Sequence, residues 1–299
     1  MKIVHAVLIS FLLLFAAAQS IFAQPADSQR ILHPKGLLWK IEKQGIAPAY
    51  LYGTMHVSDP EVVKLAVEAE KAFLNADYFV MEMLLNFKAV GYITRASFFN
   101  DGRTLKQLMG DQSYQRLFAL ISERMSLPES AVRHMKPWAV LMMLMMPEDQ
   151  ANGGAALDMV LYRRAVQRKI PVTGLETAEE QVSVFDSMAM EEQLWLLNRS
   201  IEDIKVTDAQ MPEMLQAYLA GDLAKLVKIQ QQFMYDDSEI DDRFMSQLLD
   251  MRNIRMVARL QPILKKGNVF IAIGALHLPT RQGVLHLLEQ QGYSVSPVY

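Results

Sequence analysis

Two rhythms of apolar and polar positions alternate along this chain: short solid apolar runs and longer helical repeats. Residues 37–42 and 50–55 are strand-like runs. The polar, turn-rich stretch 43–48 between them predicts a β-hairpin. Ser58-Asp59-Pro60-Glu61 follows. It fits a capping box from Ser58 to Glu61, with proline in the first turn, and predicts a helix to about Asn75. Residues 78–83 form a short apolar run that reads as a buried strand. From Leu105 to Met146 the apolar positions recur at helical spacing, as in Leu105, Leu108, Met109 and in Leu117, Leu120, Ile121. Asn152-Gly153-Gly154 breaks the pattern, a helix resumes over 155–168, and 170–175 is a further strand candidate. Residues 179–256 read as several helices, with turns near Gly221 and Asp236-Asp237. Residues 268–275 (NVFIAIGA) are the most convincing buried strand. A helix over 280–291, closed by Gly292, and a last strand over 293–299 complete the pattern. The expected class is α/β, mixed and helix-rich, with a central sheet and an extensive helical middle, in one domain over 24–299.

The first residues differ from the rest. Lys2 precedes an almost wholly apolar run over 6–18, and Ile21-Phe22-Ala23 leads to Gln24. This is the layout of a signal peptide over 1–23, cut before Gln24. The run is short for a span of about 20 residues. The expected product is an exported protein with no stable membrane insertion after cleavage, periplasmic in a Gram-negative cell and secreted otherwise. The run 138–146 (WAVLMMLMM) is also short and ends at Pro147. It reads as a buried helix with methionine as core filler.

Composition narrows the functions. A net charge of -3 and a pI near 6.1 give no basic face for a nucleic acid. The absence of cysteine excludes disulfides, thiolate metal sites and a cysteine nucleophile.

Four strand candidates each deliver a chemistry-bearing residue near their carboxyl ends: His56, Glu82, Glu176 and His277. In α/β sheets ligand sites lie outside those ends. Two imidazoles and two carboxylates gathered there could hold a divalent metal, or act as a metal-free acid/base set. Gly53 and Gly274 each stand three residues before a histidine, in matching strand–Gly-x-x-His–proline turns. The expectation is that they permit φ > 0 or leave room beside the imidazoles for a substrate or another backbone. Glu82 sits among apolar neighbours and, if buried, needs a metal, a cation or a proton. Otherwise it reaches water at a strand edge. Glu176 reads equally as an acid at a helix N-terminus. His33 and His134 lack such context, and His286 reads as a packed histidine.

Several segments together resemble the TraB/GumN/PrgY family, which includes the Tiki proteases. They are Leu38-Trp39-Lys40-Ile41 with Tyr50-Leu51-Tyr52-Gly53-Thr54-Met55-His56-Val57, then Tyr78-Phe79-Val80-Met81-Glu82-Met83. Leu157-Asp158 with residues 169–177, Met251-Arg252-Asn253, and residues 272–278 with Gly283 and Gly292 complete the set. The resemblance implies an α/β fold with two converging Gly-x-x-His motifs. It also implies a metal-dependent protease using manganese or cobalt, with zinc as a further option, and a peptide or protein substrate. His56, Glu82 and His277 would be the core residues and metal ligands. Glu176, Arg252 and Asn253 would be further site residues, Arg252 stabilising developing negative charge or pairing with an acid on the next turn. The family pattern leads one to expect a glycine near Thr280, so the loop after His277 is expected to differ in shape.

The function expected on these grounds is a metal-dependent hydrolase, a peptidase acting outside the cytoplasm. The alternative is a non-catalytic exported protein that binds a peptide or haem through the same histidines.

Overall fold

The computed structural model describes residues 29–147, 154–232 and 243–299. The signal segment, Asn152-Gly153 and the turn expected at Asp236-Asp237 lie outside the described residues. Six strands form one mixed sheet: β1 (Leu38–Lys43), β2 (Ile46–Thr54), β3 (Tyr78–Met83), β4 (Val172–Glu176), β5 (Val269–Gly274) and β6 (Ser294–Pro297), in the order β4-β3-β5-β2-β1-β6. Helices α1 (Pro60–Val63) and α2 (Val67–Asn75) follow β2. After β3 come α3 (Phe87–Ala96), α4 (Leu105–Met109), α5 (Asp111–Arg124), α6 (Glu129–Val132), α7 (Pro137–Leu144) and α8 (Leu157–Gln167). After β4 come α9 (Ala178–Asp186), α10 (Met190–Leu219), α11 (Leu223–Gln232) and α12 (Met251–Leu264), and α13 (Val284–Gln290) follows β5. The helix-rich α/β class read from the sequence is the one observed.

The sheet has two halves. β4, β3, β5 and β2 run parallel, while β1 and β6 are antiparallel additions at one edge. A tight turn closes the β1–β2 hairpin because Gly45 takes φ 80. The parallel strands need long crossovers, and the helices supply them. Both faces of β5 are therefore covered, and all six residues of VFIAIG are buried. Phe270 packs against Phe73 and Phe79, with ring centroids 5.3 and 6.4 Å away. Helix α7 is buried along its whole length, as its apolar sequence requires. Among the described residues no helix is long and apolar enough to cross a membrane.

Some boundaries differ from the sequence reading for physical reasons. β2 begins at Ile46 rather than near Tyr50, and Pro48 is tolerated because the β1–β2 register shifts between Ile41 and Lys43. Asp59, not Ser58, caps the next helix: its Oδ1 accepts from Glu61 N at 2.8 Å. That helix stops at Lys64, which is extended, and restarts at Val67; the break leaves Leu65 buried in the core. The last helix begins at Val284, not Thr280. Residues 278–283 instead form a tight loop in which a Cβ on Gly283 would stand 2.3 Å from Leu278 O. An N-terminal strap clasps this loop: Ile31 bridges Thr280, Leu32 N and His33 N both donate to Pro279 O, and Arg281 N donates to Arg30 O. Thr280 is thus a buried strap contact, which accounts for a non-glycine residue there.

Candidate functional site

The strand order places the four chemistry-bearing residues along one edge. Reading across the parallel half, β4 ends at Glu176, β3 carries Glu82, β5 leads into His277 and β2 leads into His56. The β2–β5 register sets Thr54 opposite Gly274, so the two histidine turns leave the sheet side by side. Glu176 is on the far edge strand. Adjacent strands are about 4.8 Å apart, so β4 lies roughly 14 Å from β2. The sheet brings His56, His277 and Glu82 together and leaves Glu176 outside that group.

His56 is oriented by a residue from outside the sheet. Its Nδ1 lies 2.8 Å from Asp158 Oδ2, in the first turn of α8, and Thr54 Oγ1 donates to Asp158 Oδ1 at 2.7 Å. Burial alone would lower the His56 pKa, but the Asp158 carboxylate outweighs it and the imidazole is raised above 6.5. Asp158, also buried, is held below its ordinary value by His56 and Thr54. The His56 side chain keeps 16% exposure, although its Nε2 is itself buried. Asp158 was quoted in the family motif but was not among the expected site residues. Its position beside a distant histidine is set by the α8 crossover, which a local pattern does not show.

His277 is oriented by an amide. Its Nδ1 is 2.6 Å from Asn253 Oδ1, while Asn253 Nδ2 donates to Gln282 O at 2.8 Å. The second bond fixes which way the amide points. Asn253 therefore presents oxygen, His277 carries its proton on Nδ1, and Nε2 bears the lone pair. That nitrogen is buried and has no hydrogen-bond partner. Burial, with the charges of Arg252 and His56, drives the His277 pKa well below 6.5, so the ring is neutral.

Glu82 sits next to His277. Oε1 accepts from Gly274 N at 2.7 Å and lies 3.9 Å from His277 Nε2. Oε2 accepts from Arg252 Nη2 at 2.7 Å. Burial raises the Glu82 pKa against the opposing pull of Arg252. Of the two sequence readings, the buried and partnered one holds. Arg252 is 1% exposed and clamps two carboxylates, since its Nε and Nη2 also donate to Glu176 Oε2 at 2.9 and 2.7 Å. Glu176 takes Arg255 on its other oxygen. Glu176 is thus the counter-ion of Arg252, while Thr177 caps α9. Arg252 is committed to the acids of β3 and β4, not to an acid on the next turn of its own helix. It is placed by a π turn, Ser246–Asp250, which packs on the Ala275–His277 turn and lets Arg252 Nη1 reach Leu248 O.

The glycines do less than expected for the backbone angle. Neither Gly53 nor Gly274 has positive φ. Gly53 is needed for close approach: a Cβ there would stand 2.9 Å from Leu278 Cδ1 and 3.3 Å from Ala275. It seats one histidine turn against the other and leaves no room for substrate. Gly274 does face a cavity of about 30 Å³ beside His56, walled on the other side by Met214 and Tyr218 of α10 and Leu226 of α11. His286 is half-buried and bonds Glu289 and Gln290 instead of packing in the core.

Two imidazoles with Nδ1 fixed by a carboxylate and an amide fit a metal, because such partners set the tautomer and direct Nε2 outward. Glu82 Oε1 fits less closely. Two ligands about 2 Å from one ion stand at most about 4 Å apart, so 3.9 Å is near that limit. Among the described residues no three His, Asp or Glu side chains already stand at metal-ligating spacing. The arrangement defines a mixed α/β protein with a histidine pair, held from two helices, at the carboxyl edge of its parallel strands.

The model of the TraB/PrgY/gumN family matches residues 37–297, and the chain belongs to that family. Among its relatives are Metalloprotease TIKI1 of Danio rerio, 24% identical over 309 residues, and Metalloprotease TIKI2 of Xenopus tropicalis, 24% identical over 342. The alignments cover 86% and 91% of this chain. A Metalloprotease TIKI homolog of Nematostella vectensis is 21% identical over 315 residues, covering 87% of this chain and 66% of that protein. The chain spans 62% of the length of each of the first two relatives.

Proposed function

We propose that this protein is a metal-dependent hydrolase, a peptidase that acts outside the cytoplasm. The observation that carries the reading is His277 Nε2, a buried lone pair with no partner, 3.9 Å from the Glu82 carboxylate and beside the turn that bears His56. Two acceptors facing each other in a buried site call for a cation between them. His56 and His277 would hold a divalent ion, manganese, cobalt or zinc, with Glu82 as third ligand. Such an ion supplies a Lewis acid for a peptide carbonyl and lowers the pKa of water at neutral pH. The names of the relatives support the same chemistry.

The chain's own residues prepare that chemistry. Asp158 and Asn253 hold the two Nδ1 protons, so in the neutral rings it is Nε2 that would carry the lone pair for a metal. Arg252 and the Gly274 N–H keep Glu82 fixed in a site it would otherwise leave or protonate. Glu176 holds Arg252 and takes no part in binding the ion. The apolar run over 6–18 supports export. Haem finds no support, because the cavity beside His56, about 30 Å³, is far below the several hundred that a bound organic ligand fills.

Metal affinity of the purified 24–299 chain tests the reading, with His56→Ala and His277→Ala alongside. One equivalent of manganese, cobalt or zinc should bind the wild type and be lost in both variants, together with peptide hydrolysis. No divalent ion binding, or full hydrolysis in both variants, overturns it. The amino terminus of the protein recovered outside the cytoplasm should be Gln24; a mature chain retained inside the cell overturns export.

A further inference from the structure

We infer that the cavity beside His56 receives one short aliphatic side chain of the peptide next to the bond that is cut, with Met214 and Leu226 setting the size. The inference rests on the peptidase reading and deepens it. The placement comes first. His56 and the Gly274-Ala275-Leu276 stretch that leads to His277 both line the cavity, so a side chain seated there lies beside His56 and next to the turn that bears the second histidine. The far wall is Met214, Tyr218 and Leu226, all buried or nearly so.

The chemistry of the walls follows. Apart from His56, no ionisable group faces inward except Tyr218, and its hydroxyl is already given to Gly53 O at 2.8 Å. Tyr218 offers the pocket only its ring. The Thr54 hydroxyl is likewise committed, to Asp158. A polar or charged side chain entering here would leave its water without recovering those hydrogen bonds. An aliphatic one forfeits nothing and displaces water that has few partners. Size completes the case. At about 30 Å³ the cavity holds on the order of two waters, which suits alanine to valine and excludes aromatic side chains. Met214 gives the wall some adaptability.

The test uses a random peptide library, the manganese-loaded protein and mass spectrometry of the cut bonds, for wild type and Leu226→Ala. Alanine and valine should be favoured about tenfold or more over glycine, aspartate and lysine at one fixed position beside the cut. Leu226→Ala should move that preference to leucine and methionine. Leu226→Met, which keeps the volume, should leave it in place and serves if the alanine variant does not fold. Cutting without aliphatic bias, or an unchanged bias in Leu226→Ala, overturns the inference. If no peptide is cut, the peptidase reading fails and the pocket is judged by binding. The isotope-labelled methyl of Met214, assigned through Met214→Leu, should then shift with N-acetyl-valinamide and not with N-acetyl-glycinamide. No shift with either overturns it.

Discussion

The two Gly-x-x-His turns are near copies in sequence and opposites in electrostatics. At the β2 end a carboxylate, Asp158, stands against Nδ1, and the His56 pKa is raised. At the β5 end an amide, Asn253, does so in a fully buried setting, and the His277 pKa is driven well down. One motif therefore yields a histidine that binds protons readily and one that refuses them. The difference comes from α8 and α12, not from the strands. What a strand-end histidine does is decided by the helix that meets its Nδ1.

The comparison breaks most strongly at Arg252, which holds Glu82 beside His277 and whose charge lowers the pKa of both histidines. Arg252→Met leaves buried Glu82 with only the Gly274 N–H and Glu176 with Arg255 as its remaining cation. The expected loss is about 3–5 kcal/mol in denaturant unfolding, with the Asp158–His56 contact intact. A loss below about 1 kcal/mol would show that solvent reaches the clamp.

Asp158→Asn should come next. It keeps the shape, removes the charge, lowers the His56 pKa and weakens metal binding by roughly 10- to 100-fold. Imidazole titration by NMR should then place both histidines below the ordinary range. The converse, Asn253→Asp, should raise His277. If His56 stays raised without Asp158, the carboxylate is not the cause.

Asn253→Leu leaves a buried Nδ1–H unpaired, for about 1–3 kcal/mol. Thr54→Val removes one bond to Asp158 and should cost about 1 kcal/mol, the smallest effect of the set.

The pH dependence of stability sharpens the same contrast. His277 has its folded pKa below 6.5, so its contribution is present above 6.5 and lost as pH falls through that value toward the folded one. His56 is raised, so its contribution is complete below 6.5 and lost as pH rises through its folded value. Unfolding of His277→Gln should lose the acid-side slope and His56→Gln the alkaline-side one. The same slope lost in both variants would contradict the assignment.

Much of this arrangement was legible in the sequence because chemistry-bearing residues ended short apolar runs. His56, Glu82, Glu176 and His277 stand at parallel strand ends in the structure. The roles were less legible. Glu176 reads like a ligand, but the strand order puts it on the far edge, and order is a long-range property. Asp158 lies about a hundred residues from His56, and only the crossover joins them. Gly53 signalled a constraint, though the constraint proved to be contact between the two turns rather than an unusual φ. Asp59 won the helix cap from Ser58 through a geometry that spacing alone does not distinguish.

The central position of β5 has a consequence for how the chain is made. The strand that leads into His277 leaves the ribosome long after β2 and β3, yet it slots between them. Until it arrives those two strands have open inner edges, and sheet closure waits on contacts between distant parts of the chain. A nascent or truncated chain ending before Val269 has only one of the two site histidines, no Asn253–His277 bond and two strand edges free to pair with other molecules. Synthesis of β5 is thus the event that brings the two histidines together, which keeps the site from forming before that strand is made.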